Sequence, residues 1–249
     1  EFGRELPQDN PADNRYTRAA ATIETWLNNG VLVPEATPAL YIHDYHFTFA
    51  GKKYKRRGIV AIVRLEPWEK RVIFPHEGTL SKAKSDRLNI LWACQANTSP
   101  ILAMYQDTEQ NLTATIERVT RGKPVIDTRT PDEEHEVWAT TNPEIIKAFR
   151  SFMSDRPLYI ADGHHRYESA LMYQQERSSC GPVTGEEGFN FIMMTLVEFN
   201  DPGLLILPPH RLVRGLTHQA LQRLKEGLPT FFNITELSGS DKQVWQKID

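Results

Sequence analysis

Residues 40–65, LYIHDYHFTFAGKKYKRRGIVAIVRL, alternate aliphatic or aromatic side chains with polar ones on both sides of Gly51-Lys52. Successive strand side chains point to opposite faces, so this period-two pattern reads as an antiparallel hairpin and commits the chain to a sheet. Helical patterns surround it. TRAAATIETWLNNG places Ala20, Ile23, Trp26 and Leu27 at helical spacing before an Asn29-Gly30 stop, and residues 82–97 set Leu88, Leu91 and Trp92 on one face. Asn142-Pro143-Glu144 is a helix start with Asn as cap and Pro at the first helical position, opening PEIIKAFRSFM. Between the second and third helices, PILAMYQD, TATIERVT and HEVWATT read as three strands. Leu158 to Ala161 is a further strand, followed by HHRYESALMYQQE as a helix with Tyr167, Ala170 and Leu171 inward. FNFIMMTLVEF and LLILPPHRLV read as strands around a DPG turn, and a helix THQALQRLKEGL then leads to a strand FFNITEL. The sum is an α+β fold, with mixed or antiparallel sheets and flanking helices. One globular unit over 1–249 is expected, divisible into 1–98, a β-rich insertion at 99–141, and 142–249.

Composition narrows the function classes. With 40% hydrophobic and 24% charged residues, the 249-residue chain has ample material for a core. A net charge of -3 gives no general attraction to nucleic acid or anionic lipid. Cys94 and Cys180 stand far apart, which suggests neither a disulfide framework nor a cysteine zinc site and fits a reducing cytoplasm. The polar opening EFGRELPQDN lacks a signal-peptide core, and no apolar run reaches the ~18 residues a membrane span needs. Because residues 245–249 read as a helix barely begun, the chain is expected to be a piece of a longer protein.

The densest chemistry lies in YIADGHHRYESAL, residues 159–171. A strand, an Asp-Gly turn and a helix start make an anion site, because the first helical N–H groups lack partners and the dipole favours negative charge. Gly163 lets backbone approach a ligand, Arg166 offers a planar fork to phosphate oxygens, and His164 and His165 can donate further bonds. The plainer alternative is structural: Asp162 caps the helix, one histidine is core, and Arg166 pairs with an acid. A metal reading with His164, Glu168 and Asp162 ranks lower, since HExxH and similar fixed patterns are missing.

FPHEGTLSKAKSDRL, residues 74–88, is a second polar concentration. Glu77 beside His76 suits a general base on a hydroxyl, and Lys84 or Arg87 can neutralise phosphoryl charge. LPPHRLV adds His210 and Arg211, a further pair able to complete an anion pocket. Loop 178–188 reads as a lid.

The motifs PHEGT, SDRL, NTSPILAMY, YIADGHHRYESAL and DPGLLILPPHRLV occur in an order that resembles the bacterial and archaeal domain-of-unknown-function family 1015. Members of that family are typically longer at both ends and often occur beside serine-biosynthesis genes. DGHHRYESAL is also similar to the phosphate-binding turn of the ParB/sulfiredoxin superfamily, which includes free-serine kinases and nucleotide-gated switches. That likeness implies that Gly163, His164, His165 and Arg166 hold nucleotide phosphates and that Glu77 is the base. It also suggests a ParB/sulfiredoxin-like core carrying insertions. Sulfiredoxin's cysteine is replaced by His164, which argues against sulfinic acid reduction.

The resulting expectation is a phosphotransferase using ATP or ADP with Mg²⁺ on a small hydroxylated metabolite, serine being the first candidate. Glu77, Asp162 and His165 would be catalytic; Gly163, His164, Arg166, Arg87, His210 and Arg211 would bind phosphate. The alternatives are a nucleotide-occupied switch without turnover and a metal-dependent hydrolase.

Overall fold

A computed structural model describes residues 4–79, 81–207 and 213–235, with the side chains of 81–83 left out of the description. The chain forms two compact units, residues 1–205 and 206–249. In the first unit the elements run α1 (Arg15–Asn28), β1 (Leu40–Phe49), β2 (Lys52–Arg64), β3 (Ile73–Phe74), α2 (Ser81–Cys94) and β4 (Ile101–Tyr105). They continue with α3 (Thr113–Thr120), β5 (Ile126–Arg129), β6 (Glu133–Thr140), α4 (Pro143–Met153), β7 (Leu158–Asp162), α5 (His164–Ser178) and β8 (Phe191–Glu198). The second unit contains α6 (His218–Gly227).

All eight strands join one mixed sheet in the order β3-β7-β4-β8-β2-β1-β6-β5. The expected hairpin is its spine: β1 pairs antiparallel with β2 from Tyr41↔Val60 to Phe49↔Lys52. Pairs β3/β7 and β4/β8 are parallel and the rest antiparallel. Residues 99–141 supply β4 near the sheet centre and β5 and β6 at one edge, so they are woven into the same sheet as the hairpin. Alternate residues of the central strands, Ile101, Ala103 and Tyr105 on β4 with Ile192, Met194 and Leu196 on β8, are buried in the core.

Three expected strands are not found among the described residues. TATIERVT is helix α3, because Asp107 accepts from the N–H groups of Asn111 and Leu112 at 2.9 and 3.0 Å and starts a turn that buries Leu112 and Ile116 one turn apart. After the DPG turn, Leu204–Leu207 forms no strand, and in FFNITEL the described residues 231–235 form none. The helix expected at 82–97 stops at Cys94, where Gln95 takes a left-handed φ of 49°.

Helix α5 lies against α2 and is pinned to the chain leaving β2. Tyr167, fully buried, donates its hydroxyl to the Glu66 carbonyl at 2.8 Å and accepts from the Glu66 N–H at 3.0 Å. Burial pushes that phenol up to about 12. The face expected from the sequence holds, with Tyr167 and Ala170 buried and Leu171 packed against the core. Loop 178–188 is tied down rather than free-standing: Arg64 bonds the Gly185 carbonyl at 2.6 Å and Glu186 at 2.9 Å.

Candidate functional site

Strand β7 runs between β3 and β4 and delivers Asp162 to the helix start. Gly163 makes the turn with φ 102°, which side-chain-bearing residues rarely adopt. A side chain would also crowd the turn, since a Cβ there would lie 2.8 Å from both Nε and Nη2 of Arg166, which would have to move aside. As the N-cap residue of α5, Gly163 has no side chain to cap the helix. The strand, turn and helix start read from the sequence are therefore all present.

The PHEGT loop lies against this corner through three bonds. His76 Nδ1 sits 2.7 Å from the Ile160 carbonyl, which can only accept, so Nδ1 carries a proton. The His76 backbone N–H donates to His164 Nε2 at 3.2 Å, and Thr79 donates its hydroxyl to Glu168 Oε2 at 2.5 Å. Glu168 also receives Lys84 at 3.0 Å. Burial opposes its ionisation, but Thr79 and Lys84 prevail and hold it below the ordinary glutamate range. Glu77 stands between the anchored residues His76 and Thr79.

His164 is 1% exposed, and burial pushes its pKa down against the opposing pull of Glu77. Burial thus favours its neutral form. Because Nε2 accepts from His76, the proton is assigned to Nδ1, which lies 3.0 Å from Glu77 Oε1 without the alignment of a full hydrogen bond. The Glu77 side chain is 54% exposed and therefore meets solvent while touching a buried donor.

Arg166 lies two residues on, about 200° around the helix from His164. Its guanidinium donates to Asp162 at 2.6 Å and Ser99 at 3.0 Å, and its Nε is buried with no partner. Arg166 and Arg87 line one small cavity of about 30 Å³ together with Asn97, Thr98 and Ser99. That is room for a water-sized guest.

Residues 1–247 match the family described as "Protein of unknown function (DUF1015)". The chain belongs to that family. No curated protein and no solved structure matches it.

In this DUF1015 protein the fold brings together Glu77, Asp162, Gly163, His164 and Arg166, and sets Arg87 beside Arg166 across the small cavity. His165 follows in the same helical turn, where its carbonyl accepts from Ser169. His210 and Arg211 lie outside the described residues. Two elements of the plainer reading are realised, since His164 is core and Arg166 pairs with an acid. The metal set His164, Glu168 and Asp162 is not assembled: Glu168 is held by Thr79 and Lys84, and Asp162 by Arg166. Ligand atoms of His76, Glu77 and His164 do fall within 4.8 Å of one another. A metal on His164 Nδ1 would require a proton on Nε2, facing the His76 N–H that already donates there. The anchoring roles of His76, Thr79 and Glu168, and the Ser99 contact, escaped the sequence reading. Their only local signals were the motifs PHEGT and NTSP themselves.

Proposed function

We propose that this protein is a nucleotide-dependent phosphotransferase acting on a small hydroxylated metabolite, with serine the first acceptor to test. One observation carries the reading: two motifs some 85 residues apart meet so that an exposed carboxylate, Glu77, touches the first residue of a helix whose N-cap is a glycine. Phosphates would bind at that N-terminus, where backbone donors and the dipole favour anions. Arg166, exchanging Asp162 for a phosphate oxygen, and Arg87 beside it would carry developing charge. Glu77, steadied by His164 Nδ1–H, would take the proton of the acceptor hydroxyl. Asp162 and Glu77 are the carboxylates at hand for Mg²⁺, which supplies charge neutralisation on the phosphates when bound. The likeness of DGHHR to phosphate-binding turns of free-serine kinases points the same way.

The test is calorimetric titration of ATP and ADP with Mg²⁺, followed by turnover assays with serine. Saturable binding is expected to weaken by about 1.5–3 kcal/mol in Arg166→Ala, the worth of a charged hydrogen bond. Glu77→Gln is expected to keep binding and lower turnover by about 10²–10⁴-fold. Binding without acceptor-dependent turnover would replace the kinase with a nucleotide switch, and no nucleotide binding would refute both. A second reading, a divalent-metal site at His76, Glu77 and His164, rests on their 4.8 Å cluster. It requires stoichiometric metal in protein purified without chelator.

A further inference from the structure

A second site lies at the N-terminal end of β7, away from the corner at its other end. Helix α4 crosses the sheet there and leaves a cavity of about 440 Å³. Its floor is buried and wholly apolar, formed by Ile59, Ile73, Phe149, Leu158 and Leu196. This volume falls in the usual range of about 300–1,000 Å³ for small-molecule sites. Leu158 opens β7 and Asp162 closes it, so roughly 13 Å of strand separates this cavity from the α5 corner.

The cavity is continuous in its lining with a second, wider cleft. Arg150 and Ser154 border both, and the second cleft, about 1010 Å³, is walled by Lys147, Ser151, Thr37 and Thr141. The first space has an apolar floor, and the second sets Lys147, Arg150 and several hydroxyls beside Pro38, Pro143 and Ile146, with α4 as the shared wall. The charges on the rim sort in one direction. Glu66 is held by Lys70 at 2.6 Å, Arg64 by Glu186 at 2.9 Å, and Arg156 by the Phe152 carbonyl at 3.1 Å and the Phe152 ring. Lys147 and Arg150, one helical turn apart on the same side, make no side-chain hydrogen bond or ion pair with any described residue. Two uncommitted cations therefore stand where the apolar floor of the inner cavity gives way to the wider cleft.

We propose that α4 and the sheet bind an amphiphilic anion, its apolar acyl or aryl part in the inner cavity and its carboxylate or phosphate on Arg150 and Lys147. The two halves of the site match the two halves of such a ligand: apolar walls reward burial of the tail, and the unpaired guanidinium provides a bidentate partner for a planar or tetrahedral anionic head. The site stands independently of the phosphotransfer reading, because it shares no residue with the corner.

Decanoate and decyl phosphate, below their micelle concentrations, are the probes, titrated calorimetrically into the full chain with decylamine and decanol as controls. Saturable one-to-one binding of an anionic probe is expected, with the amine at least tenfold weaker. Arg150→Glu, an exposed helix substitution that leaves the core intact, should weaken the anion at least tenfold and bring the amine up. Ala61→Trp, which fills the inner cavity, should abolish binding of every probe. Which anion binds better separates a carboxylate ligand from a phosphate one. Absence of saturable binding, equal binding of amine and anion, or binding unchanged in Arg150→Glu would each overturn the proposal.

Discussion

Two polar clusters in the first unit have opposite characters. Beneath α3, Asp44 is 2% exposed and fully answered: Arg57 reaches it with Nε at 2.6 Å and Nη2 at 2.5 Å, and Lys55 stands at 3.3 Å. Burial opposes the charge, yet Arg57 and Lys55 still hold Asp44 below the ordinary carboxylate range. At the α5 corner burial is mixed, with His164 buried and Glu77 and Asp162 exposed, and His164 Nδ1 and Arg166 Nε lack aligned partners. A buried polar group without its bond costs free energy on the order of 1–3 kcal/mol, so a fold keeps such groups chiefly where another molecule completes them. The Asp44 carboxylate is closed within the fold, whereas the corner keeps two donors open.

The sharpest break of this comparison is Arg57→Ala. It strands the Asp44 carboxylate in the core and is expected to cost about 3–5 kcal/mol of stability by denaturant unfolding, whereas Arg166→Ala should cost far less because Asp162 then faces water. Equal losses would mean that the corner is structural too. Next in size, Gly163→Ala must take a left-handed φ and push the Arg166 guanidinium aside; a destabilisation of about 1–3 kcal/mol is expected, with phosphate affinity lost alongside. The smallest effect is spectroscopic. By NMR, His164 should titrate below the ordinary 6.5, and Glu77→Gln should lower it further by removing the carboxylate that favours the imidazolium. The linked stability has a definite sign. With its native pKa depressed, His164 favours the folded chain above pH 6.5, and acidification below that value removes the contribution because the unfolded chain protonates first. A midpoint above 6.5 would show His164 to be charged and the Glu77 contact an ion pair.

The corner was legible because its parts are local. Asp162, Gly163 and the helix after them follow from turn and cap chemistry within a few residues, and the hairpin at 40–65 follows from its period. What could not be read depends on distance. TATIERVT fits either period over eight residues, and only the Asp107 turn and the burial of Ile116 decide for a helix. Sheet order was equally hidden, since β4 parallel to β8 joins residues more than 90 apart, Ile101 with Met194. Glu168 looked like a metal ligand at i+4 from His164, and its true partners, Thr79 in the PHEGT loop and Lys84 on α2, are announced by nothing nearby. The family assignment came through ordered motifs rather than through any of these contacts.

The bonds that place Glu77 join His76 to Ile160, His76 to His164 and Thr79 to Glu168, spans of 84, 88 and 89 residues. Closing loops of that length is slow and yields nothing until the intervening strands are in place. The carboxylate thus meets its histidine only once a loop of that length has closed. A nascent or half-collapsed chain carries every residue of the corner and none of its chemistry, which makes the Glu77–His164 contact a reporter of a finished fold.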